Sequence, residues 1–415
     1  MSLVTHMGRS SERLFYWWLS VCMLAVLGST APLHAQWQRS SGLATGEGND
    51  FVTSITGSST RLVCGTHAGV YTSSDHGLTW QAELTGFPID STGGGTVRVT
   101  DVAVTSTGDI YCGTNRYGVL VFRNGTWTPI KGLPEGCTAM KLLAVGDTVY
   151  LGLFRFGLWS TVTGTDTADI TIAPAFDSIL TVTSLTTLAD GGILCGTRHE
   201  GFLYRAKGEE GWLPMNYGLP RKPITGGVAS ANDAGWIAAT ALAFNELAGG
   251  IYLHDPAKAD WTLAQEGIPI PFATLFSVAS ARSTFFISTG YFSGLGIYTR
   301  TPDEAEWHEW NEGLADKEVE AIHVEPRGGD IYRIHVGTRS TGTWWRDTVV
   351  SRTTVGVDDD VQAGESLAGR KAMIVDLLGN IVGIVDGQLS IGGLPKGWYM
   401  LVPVGPGKVR RLIID

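Results

Sequence analysis

Charge is scarce in this 415-residue chain: Asp, Glu, Lys and Arg make up 17% of it, too little for long solvated helices. What charge there is leans acidic, 30 basic against 40 acidic residues and a net of −10, which argues against nonspecific nucleic-acid binding. Beyond the N-terminus no stretch is apolar for the ~20 residues a membrane-spanning helix needs, so no transmembrane segment is expected in the mature chain. Cysteine is sparse, five in all, and shows no zinc-type pair spacing. His-x-x-x-His ligand pairs, phosphate loops and dinucleotide fingerprints are also missing. No metal, cofactor or catalytic residue is therefore assigned.

Glycine and tryptophan, by contrast, are abundant: 55 and 14 residues. With low charge they suit many short strands joined by tight turns, an all-β class. Residues 1–35 read as a signal peptide, with Arg9 and Arg13 before the apolar run Phe15 to Leu27 and a small-residue site at Ala31 to Ala35. A membrane anchor is the alternative, but the run is short for one. Cleavage removes Arg9, Arg13 and Glu12, leaving 28 basic and 39 acidic residues, a net of −11.

One pattern recurs seven times: Leu62-Val-Cys-Gly-Thr66, Ile110-Tyr-Cys-Gly-Thr114, Val149-Tyr-Leu-Gly-Leu153, Ile193-Leu-Cys-Gly-Thr197, Trp236-Ile-Ala-Ala-Thr240, Phe285-Phe-Ile-Ser-Thr289 and Ile334-His-Val-Gly-Thr338. Between their fourth residues the steps are 48, 39, 44, 43, 49 and 49 residues. Strand-only repeats of ~40 to 50 residues are what four-stranded propeller blades require. A Trp followed by a Gly-apolar pair marks the outer strands: Trp80 with Gly86, Trp127 with Gly132, Trp212 with Gly218, Trp261 with Gly267 and Trp307 with Gly313. The third blade lacks this signature between Trp159 and Pro174. The seventh copy lacks it too, and the missing strand lies at the other end of the chain, Trp37 to Leu43. The expectation is a seven-bladed β-propeller over 36–350, closed by its N-terminal strand so that no seam stays open.

After the signal, four cysteines remain, an even number that invites a disulfide reading in an exported protein. Cys64, Cys112 and Cys195, however, share one repeat position with Leu151, Ala238, Ile287 and Val336, an apolar core slot. Equivalent positions in separate blades sit too far apart for a bridge.

The segment Ser73-Ser-Asp-His-Gly-Leu-Thr-Trp80 resembles the Asp-box of sialidase-like, sortilin-like and photosystem-assembly-factor-like propellers, with Ser73, Asp75, Gly77, Thr79 and Trp80 in the motif positions. Physically it is a turn device: Asp75 takes backbone donors, Gly77 permits the turn and Trp80 packs inward. Past Val350 the composition changes. An acidic linker, 351–366, is expected, then a small antiparallel β-sandwich-like module over 367–415 containing Ala372 to Val382, Leu389 to Leu401 and Val409 to Ile414. That module resembles the C-terminal sorting domain of the type IX secretion system of Bacteroidetes-type bacteria, although the usual Pro-Asn-Pro opening strand is absent. The resemblance implies type IX machinery as a partner and a secreted or outer-surface location.

In a four-stranded blade, the loops between second and third strands and those linking blades share one face, where propellers usually bind. Candidate ligand residues there are Arg116, Tyr117, Arg155, Phe156, Arg198, His199, Glu200, Tyr291 and Arg339. Guanidinium groups with aromatic neighbours can hold a carboxylate bidentately and stack on sugars or side chains. Ordinary rim pairing with Asp177, Asp316 or Glu318 is the competing explanation for these arginines. The first functional reading is a binding module for a glycan, carboxylate-bearing or protein ligand. A polysaccharide-active enzyme, sialidase-like or another glycoside hydrolase using Glu200 and Glu246, is the alternative, and a structural surface protein a second. Fusing residues 351–415 to an exported reporter is expected to carry it to the surface of a type IX-competent host; retention in the periplasm contradicts the sorting reading.

Overall fold

The computed structural model describes residues 36–44, 50–58, 60–90, 95–172, 180–220, 224–243, 248–258, 260–269, 275–289 and 294–350, together with the strands of the C-terminal segment. The signal segment 1–35, Asp177, Phe244 to Glu246 and Tyr291 lie outside the described residues. The chain divides into two compact units, Met1–Val349 and Val350–Asp415.

The first unit is a seven-bladed β-propeller. Six blades are sheets of four strands in sequence order. In the seventh the first three strands, Val319–Gly328, Ile331–Thr338 and Thr343–Val349, are completed by Gln38–Arg39 from the N-terminus. Gln38 pairs with Trp345 and Arg39 with Trp344, and the Ser40 N–H donates to Thr343 O at 2.9 Å. The displaced strand therefore closes the ring as its composition implied.

Strand position within a blade dictates composition. The seven repeats are the second strands, such as Ile110–Thr114 and Ile193–Thr197, in which every residue is buried. They read as continuous apolar runs because neighbouring blades cover both their faces. The slot shared by Cys64, Leu151, Ala238, Ile287 and Val336 has no solvent exposure. The four described cysteines are buried and free. The small residue of the repeat has a steric cause. A Cβ on Gly65, Gly152 or Gly337 would lie 2.2 to 2.6 Å from a valine methyl of the next blade's inner strand.

The Trp and Gly marks of the outer strands form one recurring junction, except at Trp212 of blade four, whose indole N–H is buried without a hydrogen-bond partner among the described residues. The backbone N–H groups of Trp37, Trp80, Trp127, Trp261 and Trp307 donate to Glu312, Ser41, Thr85, Tyr217 and Glu266 O of the preceding blade. Each acceptor directly precedes a glycine at φ between 78° and 92°: Gly313, Gly42, Gly86, Gly218 and Gly267. Indole N–H donors of Trp37, Trp127, Trp261 and Trp307 add a second bond, to Trp310, Glu83, Met215 and Ala264 O. Blade three keeps the backbone half without the indole: Ala168 takes the Trp place and donates to Lys131 O, before Gly132. Trp159 sits instead on the third strand, Gly157–Val162, which is why the third signature was unreadable.

The closing seam between blades seven and one carries an additional buried polar cluster. Glu325, 1% exposed, accepts hydrogen bonds from His76 Nδ1 at 2.6 Å and His335 Nε2 at 3.0 Å. Arg333 makes a bidentate pair with Asp347 at 2.7 and 2.9 Å and stands 3.9 Å over the Trp345 ring. Burial holds His335 below the ordinary imidazole value, against the pull of Glu325. His323, stacked 6.1 Å from it, is lowered to about 3, mainly by burial. Hydrogen bonds from the two histidines take Glu325 down to about 2 despite its burial.

In the second unit, five strands form one sheet. Ser366–Val375 lies between Ile381–Gln388 and Gly397–Pro403, and Gly397–Pro403 pairs in turn with Arg410–Ile414, all antiparallel. Asp360–Val361, within the acidic stretch, adds a parallel edge strand.

Two outcomes are expected. Gly267→Ala puts a Cβ 2.2 Å from Trp307 O and should cost roughly 2–4 kcal/mol in chemical denaturation. Gly125→Ala, at φ 80° in open space, isolates the backbone term of about 1–2 kcal/mol; equal losses would remove the packing role. Secondly, His323 and His335 have folded values below the unfolded ~6.5, so the unfolded chain binds more protons as pH falls through that range. The melting temperature should fall steadily from pH 6.5 downward, with Glu325 adding a further loss below about 4.5. His335→Gln should flatten the upper part of that limb, and an unchanged profile contradicts the assignment.

Candidate functional site

One loop architecture positions the candidate residues. The threonines ending the second strands, Thr66, Thr114, Thr197 and Thr338, donate their hydroxyls to Gly69, Gly118, Gly201 and Gly342 O at 2.7 to 3.0 Å. The next residue's N–H returns to the start of the inner strand: His67 to Phe51 O, Asn115 to Arg98 O, Phe154 to Thr138 O, Arg198 to Thr181 O and Arg339 to Glu318 O. Side chains at these turns are thereby fixed on the same face of the ring.

Within this frame blades two and three carry the same device twice. Asn115-Arg116-Tyr117-Gly118 and Phe154-Arg155-Phe156-Gly157 place an arginine at φ 70° and 72°, a left-handed conformation unusual for that residue. Each arginine's N–H donates to a threonine hydroxyl of the following blade, Thr138 at 3.2 Å and Thr181 at 3.0 Å. Tyr117 and Phe156 are left 39% and 40% exposed. Backbone held in a sparsely populated region, with large aromatics turned to solvent, is a pattern that concentrates at ligand sites. The Arg155 guanidinium lies 5.5 Å from the Phe154 ring centroid.

The other candidates are distributed differently. Arg339 belongs to a cluster across the closing seam, 3.7 Å from Glu318 and 5.3 Å from the Phe51 ring. His67 stacks on that same ring at 4.1 Å and 4°. Burial, with Arg98 and Arg339 adding repulsion, lowers His67 to about 4, so it is neutral at pH 7. For Arg339 the rim pairing with Glu318 is thus present. Arg198 and His199 are exposed on the blade-four turn. Glu200 is half-buried there, its N–H on Thr197 Oγ1 and its carbonyl accepting from Asn216 Nδ2 at 2.8 Å.

At the opposite face, Asp75 organises the turn of blade one. Its Oδ1 accepts from Ser73 Oγ and Thr79 N, and Oδ2 from Thr79 Oγ1, at 2.6 to 2.9 Å. Those hydrogen bonds hold its carboxyl below the usual range despite an opposing desolvation. These bonds are internal to the turn, as a turn-forming device requires. No cluster of three or more His, Cys, Asp or Glu with metal-binding geometry occurs among the described residues. Nor is any helix there long and apolar enough to cross a membrane.

Four participants escaped the sequence reading: Phe51 and Arg98 at the starts of inner strands, and the latching hydroxyls of Thr138 and Thr181. Their signal was positional, since each precedes an inner strand aligned by the repeat.

No family model matches the sequence, and no curated protein matches it. Solved structures do. The chain is similar to the extracellular domain of the putative one-component system BT4673 from B. thetaiotaomicron, at 14% identity and TM-score 0.56, over 91% of this chain and 54% of that one. It is similar to PorZ, a bacterial surface component of the type IX secretion system of Porphyromonas gingivalis, at 14% identity and TM-score 0.54, over 89% and 60%. YCF48 bound to D1 peptide matches at 13% identity and TM-score 0.50, over 77% and 96%. The chain spans about half the length of the first of these, and at such identities the likeness establishes the fold alone.

The left-handed arginines give a stability test. Arg116→Gly and Arg155→Gly should each raise unfolding free energy by up to about 1 kcal/mol, because glycine adopts this conformation without steric cost. A loss of stability in both would mean that the side chains serve the fold.

Proposed function

We propose that the propeller is a secreted or cell-surface binding module whose ligand docks on the face carrying Arg116, Arg155, Arg198 and Arg339. The observation that carries this is the duplicated Arg-aromatic turn of blades two and three, with the same φ, the same threonine latch and the same exposed ring. Two guanidinium groups one blade apart suit a ligand with carboxylates along its length, and the exposed rings suit stacking on sugars or on peptide side chains. Fixed loops on a closed ring favour binding, since little ordering is left for the ligand to impose.

Cell-surface and extracellular neighbours support the location. In this reading the Ser73 to Trp80 turn is an Asp-box, residues 1–35 direct export, and the C-terminal sheet is the sorting module recognised by type IX machinery. The polysaccharide-active alternative uses the same face.

An array of acidic and neutral glycans and acidic peptides, probed with the propeller and with the Arg116→Ala/Arg155→Ala variant, tests the proposal. Binding of a carboxylate-bearing ligand that falls at least about tenfold in the variant is expected. Cleavage of a bound glycan would favour the enzyme. Binding that survives the double substitution, or no binding at all, overturns the assignment.

A further inference from the structure

Along the ring axis the inner strands line an open cavity of about 200 Å³, with Ser54, Asp101, Lys141, Ser184, Ser277 and Glu320 among its lining. Ser54, Asp101, Lys141, Ser184 and Ser277 occupy equivalent positions, each following a bulge in its strand. Three of them brace the ring, since Ser54, Asp101 and Ser277 accept the N–H of Val102, Leu142 and Ile322 in the next blade, at 3.4, 2.8 and 3.0 Å. Ser184 does not. Its hydroxyl, on a residue 4% exposed, has no hydrogen-bond partner, and a buried hydroxyl left unsatisfied is costly unless something else fills the place.

Lys141 and Glu320 are the other unspent groups. Among the described residues neither forms a hydrogen bond or ion pair. Lys141 is on blade three, beside Ser184 on blade four, and Glu320 is on blade seven, as far from Lys141 as a ring of seven allows. One wall of the channel therefore offers a cation and a free hydroxyl, and the other a carboxylate.

We propose that this channel binds a small zwitterion of amino-acid size, its carboxylate held by Lys141 and the Ser184 hydroxyl and its ammonium by Glu320. A volume of about 200 Å³ matches a ligand of amino-acid size, and opposite charges on facing walls reward a ligand that carries both. Burial raises Glu320 to about 7; Arg339 and Lys141 pull it down, while Glu318 and Asp316 push it up. A bound ammonium favours the charged carboxylate, so affinity rises with pH through that value.

Isothermal titration of the whole chain with α- and ω-amino acids, matched alkylamines and matched carboxylates tests the site. At pH 8 a zwitterion is expected to bind about tenfold or more tightly than either single-charge analogue. Binding should weaken at pH 6 and fall about tenfold in Glu320→Gln. Lys141→Met should shift preference to the amine. Ser184→Ala, which removes a hydroxyl the fold does not use, should weaken zwitterion binding without lowering the melting temperature. Arg116→Ala/Arg155→Ala should leave the channel unaffected, which separates this site from the face above it. No zwitterion binding, or binding unchanged in both Glu320→Gln and Ser184→Ala, overturns the proposal.

Discussion

Five of the ring's seven blades are joined to the preceding blade where a left-handed glycine seats against the backbone of an outer-strand tryptophan. A carbonyl just before the glycine accepts the tryptophan N–H, and any Cβ at Gly42, Gly218 or Gly267 would stand 2.2 Å from the tryptophan carbonyl. The same contact satisfies a peptide group at an exposed edge and buries an indole, so one short motif solves both the edge problem and the packing problem. Gly313 and Trp37 make it between the sixth blade and the first strand of the chain. Closure thus reuses a device already present between sequential blades.

Much of this architecture was legible because it repeats. Cys64, Cys112 and Cys195 align with aliphatic residues, and a shared apolar slot is visible without any structure. Trp37 could be assigned to the last blade because its Gly42 stands where the glycines of other blades stand. The third blade was opaque for an equally specific reason: Ala168 retains the backbone bond but has no indole, and backbone bonds leave no trace in side-chain patterns. Glu325 and His76 were also invisible, since 249 residues separate them and only ring closure brings them together.

The candidate face was legible as a set of loops, not as a site. Sequence alignment put Arg116, Arg155, Arg198 and Arg339 at matching turns and so suggested an arginine ring. Their surroundings divide them: two sit in left-handed turns beside exposed aromatics, one lies against Glu318 and Phe51 across the seam, and one is on a turn with His199 and Glu200. Backbone conformation is what separates the groups, and it is set by threonines on neighbouring blades that the loop sequence does not contain. The C-terminal sheet shares none of the propeller's repeats, so its reading rests on short segments resembling a sorting domain.

Hydrogen exchange on a chain lacking residues 36–44 tests ring closure most directly. Closure by the N-terminal strand requires that the Thr343–Val349 amides facing that strand lose protection, that loosening extend to the Glu325 cluster, and that the melting temperature fall sharply. Protection and melting temperature equal to those of the intact chain would show that the seventh blade is complete without Trp37, and would contradict the closed-ring account.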